Sequence, residues 1–353
     1  TIEEEFGSVK ANVNEIVTAN KIQLNFSIDE LEASSISRIN ILGNNITEES
    51  VIRNQIIIDE GDPYNEILLS KSINNIKSLN IFKSVRDEIL TDKNDVDKIL
   101  NISVEEKPTG EILAGAGYGT SGGSLTFSIK ENNFLGKGIS LNNSLSLTEN
   151  SIRGKIFVNN PNYKNSDKSF FYGIESSDND YMKTYGYKNN KTSAQIGTKF
   201  EYLDDLSLGI SSKNSIENLK VGNKASANQK KQAGDHFDSF LSLDFIYDKR
   251  NQKFETNDGY LSTYSVDLPV LSDTSTFTNR YKYKKFEELY ENNISTISFS
   301  VQTSNSLNGE NIKLSERLFV PARNLRGFEV GKIGPKDGDS YIGGNFVTSV
   351  NAT

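Results

Sequence analysis

Two hydrophobic periods share this chain, and one replaces the other near Pro108. Over 21–28, Ile22, Leu24, Phe26 and Ile28 alternate with polar residues, the two-residue step of a strand with one apolar face. Val13, Ile16 and Val17 mark a strand ahead of it. From Ser34 the pattern is fuller. Ile36, Ile39 and Ile41 predict a strand that stops at Gly43, Asn44 and Asn45. Thr47, Glu48, Glu49 and Ser50 then offer an N-cap and first-turn acids for a helix through Ile56. After Glu60, Gly61, Asp62 and Pro63, the apolar residues Leu68, Leu69, Ile73, Ile76, Leu79 and Phe82 recur at three- and four-residue spacing, which predicts a second, amphipathic helix. Strands follow over 83–90 and 98–106. The order is β-α-α-β-β, and 21–30 matches its final strand, so residues 1–30 read as the end of an earlier copy of the same unit.

Beyond Pro108 the period is two. Leu125, Phe127 and Ile129 alternate with Thr126, Ser128 and Lys130; Ile139, Leu141, Leu145 and Leu147 alternate with Ser140, Asn142, Ser144 and Ser146. The dyad returns at Leu241, Leu243, Phe245 and Tyr247, at Tyr264, Val266 and Leu268, and at Ile297, Phe299 and Val301. Segments of about ten residues with this alternation, joined by Asn/Asp/Gly/Lys-rich turns, suit a membrane β-barrel, whose lipid-facing positions are apolar and whose lumen positions are polar. A soluble sandwich carries the same alternation, but roughly a dozen strands without a helix is many for one sandwich.

One stretch breaks the pattern. Between a strand over 293–304 and another from Tyr341 onward lie Arg326, Gly327 and Phe328, then Gly334 and Pro335, then Gly343, Gly344 and Asn345. Glycines and a proline around a single arginine predict a long shaped loop, and such loops are usually functional.

Composition narrows the class. Hydrophobic residues are 35% of the 353, yet 15 Tyr and 19 Phe supply many strand formers, the mixture expected of a barrel with one polar face. No apolar run of 18 or more residues is present, which excludes a transmembrane helix and leaves a transmembrane barrel open. A net charge of -8 with scattered Lys and Arg argues against nucleic acid. With no cysteine there is neither a disulfide framework nor a thiolate metal site. Thr1 is not followed by a signal-peptide pattern.

Catalytic chemistry finds little footing. The only histidine, His236, adjoins a Lys/Asn/Gln-rich segment over 215–234 that reads as an exposed loop, and Asp337 and Asp339 read as solvated turn acids. Residues 117–122 match the spacing of a dinucleotide fingerprint, but no βαβ unit surrounds them. No enzyme is expected, and no cofactor or metal.

Six motifs taken together resemble the BamA family of outer-membrane assembly proteins, the POTRA-plus-barrel surface antigen superfamily. They are Gly110, Glu111, Ile112 through Gly115, Gly117, Tyr118 and Gly119; the Asn132, Asn133, Phe134, Leu135, Gly136, Lys137, Gly138 run; Asn160, Pro161, Asn162, Tyr163; Arg326, Gly327, Phe328; Ile333, Gly334, Pro335; and Gly343, Gly344, Asn345. The resemblance implies that 1–30 ends one POTRA domain and that 34–107 is the last POTRA domain. Residues 108–353 would then be an antiparallel transmembrane barrel with an inward-folded loop at about 305–340. It implies about twelve of sixteen strands, with the loop between the eleventh and twelfth, and hence a fragment lacking both ends.

The implied function is folding and inserting client barrels into the outer membrane of a Gram-negative bacterium, with the POTRA domains in the periplasm. Gly115, Gly117, Tyr118 and Gly119 would form a weak first-strand seam. Arg326 would lock the loop to acids on later strands, Gly327 would turn the backbone, and Phe328 would pack on the barrel wall. Partners would be unfolded outer-membrane proteins, accessory assembly lipoproteins (BamD-like) at the POTRA domain, and outer-membrane lipid. A POTRA-barrel transporter of the two-partner secretion type is the first alternative; a passive porin or structural barrel is the second.

Overall fold

The structure is a computed structural model describing residues 2–6, 9–18, 21–30, 34–91, 96–119, 122–183, 186–223, 225–253, 256–273, 275–291, 293–321, 324–325, 328, 331–338 and 340–353. It divides into two compact units, Thr1–Thr109 with Asn132–Gly138, and Gly110–Glu131 with Ile139–Thr353.

The first unit opens with an antiparallel meander, β1 (Ile2–Phe6), β2 (Val9–Thr18) and β3 (Lys21–Glu30). Register sets Ile22 opposite Val17 and Phe26 opposite Val13, so the apolar beat of β3 makes one row. β4 (Ile36–Leu42), α1 (Glu49–Arg53), α2 (Glu66–Ser78), β5 (Phe82–Thr91) and β6 (Lys98–Glu106) follow. β6 lies in the middle of a three-stranded sheet, parallel to β4 and antiparallel to β5. The apolar stripe of α2, Leu69, Ile73 and Ile76, is buried against Ile39, Leu100 and Ile102 of the sheet and Ile52 of α1 in one core. Asn65 caps α2 by accepting the Leu68 N–H at 3.1 Å, which starts the helix where its apolar period begins.

The first helix is shorter than its sequence suggests, ending at Arg53 rather than Ile56, and its N-cap residue Glu48 makes no side-chain cap. The groups that would cap it are engaged elsewhere. The Thr47 hydroxyl accepts from Asn133 Nδ2 at 2.9 Å, and the Glu106 carboxylate takes the N–H groups of Asn45 (3.0 Å), Ile46 (3.0 Å) and Thr47 (2.7 Å). Asn133 belongs to the turn Asn132–Gly138, which is part of this unit. Its Oδ1 accepts the Gly138 N–H at 2.8 Å and shapes the turn, and the Gly136 carbonyl accepts the Glu48 N–H at 2.8 Å. Gly136 has φ +73°, and a Cβ there would lie 2.1 Å from the Ile46 carbonyl oxygen, so only glycine fits.

The second unit is a twelve-stranded antiparallel sheet. Its strands are β7 (Gly110–Gly119), β8 (Gly122–Phe134), β9 (Ile139–Thr148), β10 (Ser151–Asn160), β11 (Ser169–Tyr181), β12 (Tyr187–Leu203), β13 (Leu206–Val221), β14 (Gly234–Asp248), β15 (Gly259–Ser272), β16 (Thr276–Tyr290) and β17 (Asn293–Ser306). A long loop holding the two-residue pair β18 (Lys336–Asp337) and β19 (Ser340–Tyr341) leads to β20 (Phe346–Ala352). Every strand pairs with its neighbours in sequence, leaving β7 and β20 at the edges of an unclosed sheet. The dyad sorts the faces: Phe127, Leu145, Ile156, Ile174, Leu241, Phe245 and Phe299 are exposed on one, while Asn189, Ser215, Asp238 and Ser242 are buried on the other. Among the described residues no helix is long and apolar enough to cross a membrane, which leaves crossing by strands untouched.

β12 and β13 have 17 and 16 residues, more than the 9–11 or so that span a bilayer. The added length carries mostly polar residues, with Tyr187 and Leu219 buried on one face and Ile216 exposed on the other. Residues 215–221, read from sequence as exposed loop, are therefore strand, and Glu217 within them is fully buried. The rest of that segment holds a helical turn, Ala227–Lys230, capped by Ser226.

Candidate functional site

The loop between β17 and β20 lies against the polar face of the sheet, and a lysine holds it there. Lys313 is 1% exposed, between Ile312 and Leu314, at the start of one 3-10 turn, Leu314–Glu316. Its ammonium lies 2.6 Å from Asp238 Oδ2 on β14, 2.9 Å from Glu217 Oε2 on β13 and 3.4 Å from Glu316 Oε1 one turn ahead. Both strand carboxylates are 0% exposed. Each is placed by register: Ser215 of β13 pairs with Asp238, which puts Glu217 two residues along on the same face.

Glu217 has further partners. Asn189 Nδ2 on β12 donates to Glu217 Oε1 at 2.6 Å and Ser315 Oγ donates to Glu217 Oε2 at 2.9 Å. Asn179 Nδ2 on β11 donates to Asn189 Oδ1 at 3.1 Å, continuing the chain of polar contacts. Burial alone pushes the Lys313 ammonium down, but the carboxylates of Glu316, Glu217 and Asp238 outweigh it and hold Lys313 above the ordinary lysine value, so the lysine stays charged. Breaking such a buried pair by removing one partner costs about 3–5 kcal/mol, because the other charge is left without compensation.

Apolar packing and hydrogen bonds fix the same part of the loop. Leu314 is buried with Tyr187 and Leu219, and Phe319 and Ile342 pack against them. The Leu314 N–H donates to Gln232 Oε1 at 2.9 Å, Ser226 Oγ donates to Asp337 Oδ2 at 2.6 Å, and Asn324 Nδ2 donates to Ser349 Oγ on β20 at 3.0 Å. Leu318, within the loop, meets Gly344 beside β20 in a bridge, Leu318 N–H to Gly344 O at 2.8 Å and Gly344 N–H to Leu318 O at 2.9 Å.

The residues singled out from sequence distribute unevenly around this anchorage. Arg326 and Gly327 lie outside the described residues, as does Asp339. Phe328, expected against the wall, is instead 62% exposed; the loop's apolar contacts come from Leu314, Phe319 and Ile342. Gly334 has φ +116°, the left-handed region that glycine tolerates, and the Pro335 carbonyl accepts the Ile342 N–H at 3.0 Å, extending the β18–β19 hairpin by one bond. At Gly343 (φ +75°) a side chain would meet the Leu318 carbonyl oxygen and the Phe319 ring, each at 2.9 Å, so the Leu318–Gly344 bridge depends on that glycine. Asn345 contributes its carbonyl, which accepts the Ser304 N–H of β17 at 2.9 Å. His236 is in β14, its Nε2 2.8 Å from the Gln232 carbonyl.

At the far edge, Gly115, Gly117 and Gly119 occupy alternate positions of β7, hence one face, and Tyr118 on the other face is 88% exposed. Their partners across the pair are small too: Gly115 faces Thr126, Gly117 faces Ser124 and Gly119 faces Gly122.

Sequence reading missed Lys313, Glu217 and Asp238. The one local signal was a lysine between two aliphatic residues, Ile312 and Leu314, in a loop otherwise rich in polar residues, and it is weak because a lysine is seldom fully buried unless it is paired.

Comparison with known proteins adds to these observations. Residues 34–107 match the POTRA model, described as a surface antigen variable number repeat, and residues 133–352, more than half of the chain, match the Omp85 superfamily domain. Among curated relatives, an outer membrane protein assembly factor BamA from Neorickettsia risticii is 26% identical over 92% of this chain, and one from Buchnera aphidicola is 29% identical over 48%. The chain spans 45% and 29% of those two proteins. Its fold is similar to a crystal structure of BamA from Haemophilus ducreyi lacking POTRA domains 1–3, with TM-score 0.67 and 22% identity over 98% of this chain and 72% of that one. CdiB from Acinetobacter baumannii is more distant, with TM-score 0.52 and 14% identity over 87% of this chain and 58% of that one. A POTRA fold, a wide antiparallel sheet with one apolar and one polar face, and an inward loop between its eleventh and twelfth strands agree with both family matches: the chain belongs to the Omp85 superfamily of outer-membrane β-barrel proteins with periplasmic POTRA domains.

Proposed function

We propose that this chain is part of the central subunit of an outer-membrane barrel assembly machinery, which folds and inserts client β-barrels through a weak first-strand seam. Residues 1–30 would end a preceding POTRA domain, 34–107 would be the last one, and 108–353 would be barrel. The observation that carries the reading is the side-chain-poor face of β7. Cross-strand pairs are worth about 0.2–1 kcal/mol each, so three glycines at alternate positions withhold roughly 1–2 kcal/mol from whatever strand closes against them. Such an edge parts more readily than any other in the sheet and can template an incoming strand by main-chain hydrogen bonds. The work of insertion comes from burying the client's apolar face and satisfying its ladder bonds, without nucleotide or cofactor. Unfolded outer-membrane proteins, accessory lipoproteins at the POTRA domain and membrane lipid are the partners this implies.

A disulfide joining the first and last strands of the full-length protein tests the reading. The tethered form is expected to lose client insertion and to regain it on reduction; normal insertion while oxidised would refute an opening seam. The similarity in fold to CdiB keeps a second reading alive, export of one large polypeptide through the pore. Under that reading the tethered protein still transports its partner.

A further inference from the structure

We propose that Lys313 is the positioning residue of the inward loop, seating it on strands that precede it in the chain and doing so without Arg326. Three observations carry this. The lysine is buried and its ammonium reaches carboxylates on β13 and β14, the seventh and eighth strands of the sheet and among the farthest from either edge. Glu217 and Asp238 are themselves fully buried, so without the lysine the wall at that point would carry two buried carboxylates with only Lys191 to offset them. The neighbouring packing of Leu314 with Tyr187 and Leu219, and the Leu314 N–H bond to Gln232, attach the same few loop residues to the same region. The charged groups around the ammonium are Glu316 on its own turn, Glu217 on β13, Asp238 on β14 and Lys191 of β12, which pairs in register with Glu217. Lys313 therefore matches the loop to a wall that would repel an acidic side chain there and be left uncompensated by an apolar one, and the base of the loop stays fixed while the distant β7 edge parts.

The proposal rests on the assembly reading only for its second readout. Full-length protein in liposomes is treated with trypsin, and the rate of cleavage after the half-buried Arg317 is followed by mass spectrometry, with heat-modifiable mobility reporting barrel folding. Lys313→Met is expected to raise that rate tenfold or more. Adding Glu217→Gln and Asp238→Asn, which removes the stranded charges, should bring it back within about threefold of wild type, and Arg326→Ala alone should stay within twofold. If Lys313→Met does not fold, the Glu217→Gln/Asp238→Asn pair replaces it, since that pair strands the lysine and must be cleaved faster than the triple variant. Unchanged cleavage in Lys313→Met, no difference between pair and triple, or loop opening by Arg326→Ala equal to that of Lys313→Met would each overturn the proposal. Client insertion is read in parallel: a loop opened in Lys313→Met with insertion intact supports the anchor and counts against a need for the loop in assembly.

Discussion

Replacing Glu106 by Gln puts a number on the clasp that holds the loop leading into α1. One carboxylate accepts three consecutive N–H groups, of which Thr47 belongs to a buried residue while Asn45 and Ile46 are exposed. Bonds to a charged acceptor contribute about 1.5–3 kcal/mol when sheltered, but Glu106 is only half-buried, and screening reduces the charge-dependent part to about 1 kcal/mol. Gln keeps one acceptor oxygen, so Glu106→Gln should cost about 1 kcal/mol; Ala also orphans the Thr47 N–H and should cost about 2 kcal/mol. Burial pushes the Glu106 carboxyl up, but the hydrogen bonds from Thr47, Ile46 and Asn45 prevail and hold it below its ordinary value of 4.5. A carboxyl depressed on folding stabilises fully above its unfolded value and loses that contribution as pH falls through the folded one. The gap between wild type and Glu106→Gln should thus be full at pH 7 and close progressively below about pH 4.5. Urea unfolding of the periplasmic unit at a series of pH values measures it. A gap of the same size at pH 7 and pH 3 would show that the charged carboxylate contributes nothing.

Gly136→Ala forces a left-handed backbone on alanine and pushes a methyl onto the Ile46 carbonyl; with loss of the Glu48 hydrogen bond it should cost about 3 kcal/mol in thermal unfolding, whereas Gly115→Ala, with nothing within 4 Å of the added carbon, should leave stability unchanged. In the full-length protein, Arg326→Ala should lower client insertion with little loss of barrel folding; unchanged insertion would remove the role given to that arginine. A fragment of residues 34–107 should give an α+β circular dichroism spectrum, and a random-coil spectrum would undo that boundary.

The parts legible in sequence were those with one dominant force. The strands β8, β9, β14, β15 and β17 alternate because one face is apolar, and α2 shows a three- and four-residue apolar period because one stripe enters the core. Where polar groups satisfy one another, no period is visible. The end of β13 reads as loop because its apolar positions give way to Ser212, Asn214 and Asn218, so Glu217 is hidden among residues that look solvated. Lys313 pairs with carboxylates 75 and 96 positions earlier, a separation that local pattern cannot bridge. The shortened α1 depends on contacts at its far end: the Gln55 and Ile56 N–H groups bond the Ile52 and Arg53 carbonyls three residues back, and the Ile57 N–H goes to Ser72 of α2.

The turn Asn132–Gly138 makes the linker at Pro108 a poor place to divide the chain. Cooperative folding follows hydrogen bonds and packing, not sequence order, and this turn supplies the partner of the Thr47 hydroxyl, the acceptor for the Glu48 N–H and, at Gly138, a surface against Val51. A fragment ending at 107 keeps its core but leaves those groups to water, so its amides at the start of α1 should exchange faster than in the whole chain. Any exchange of this POTRA domain would have to carry the turn with it, so the piece that evolution or an engineer can move is discontinuous in sequence.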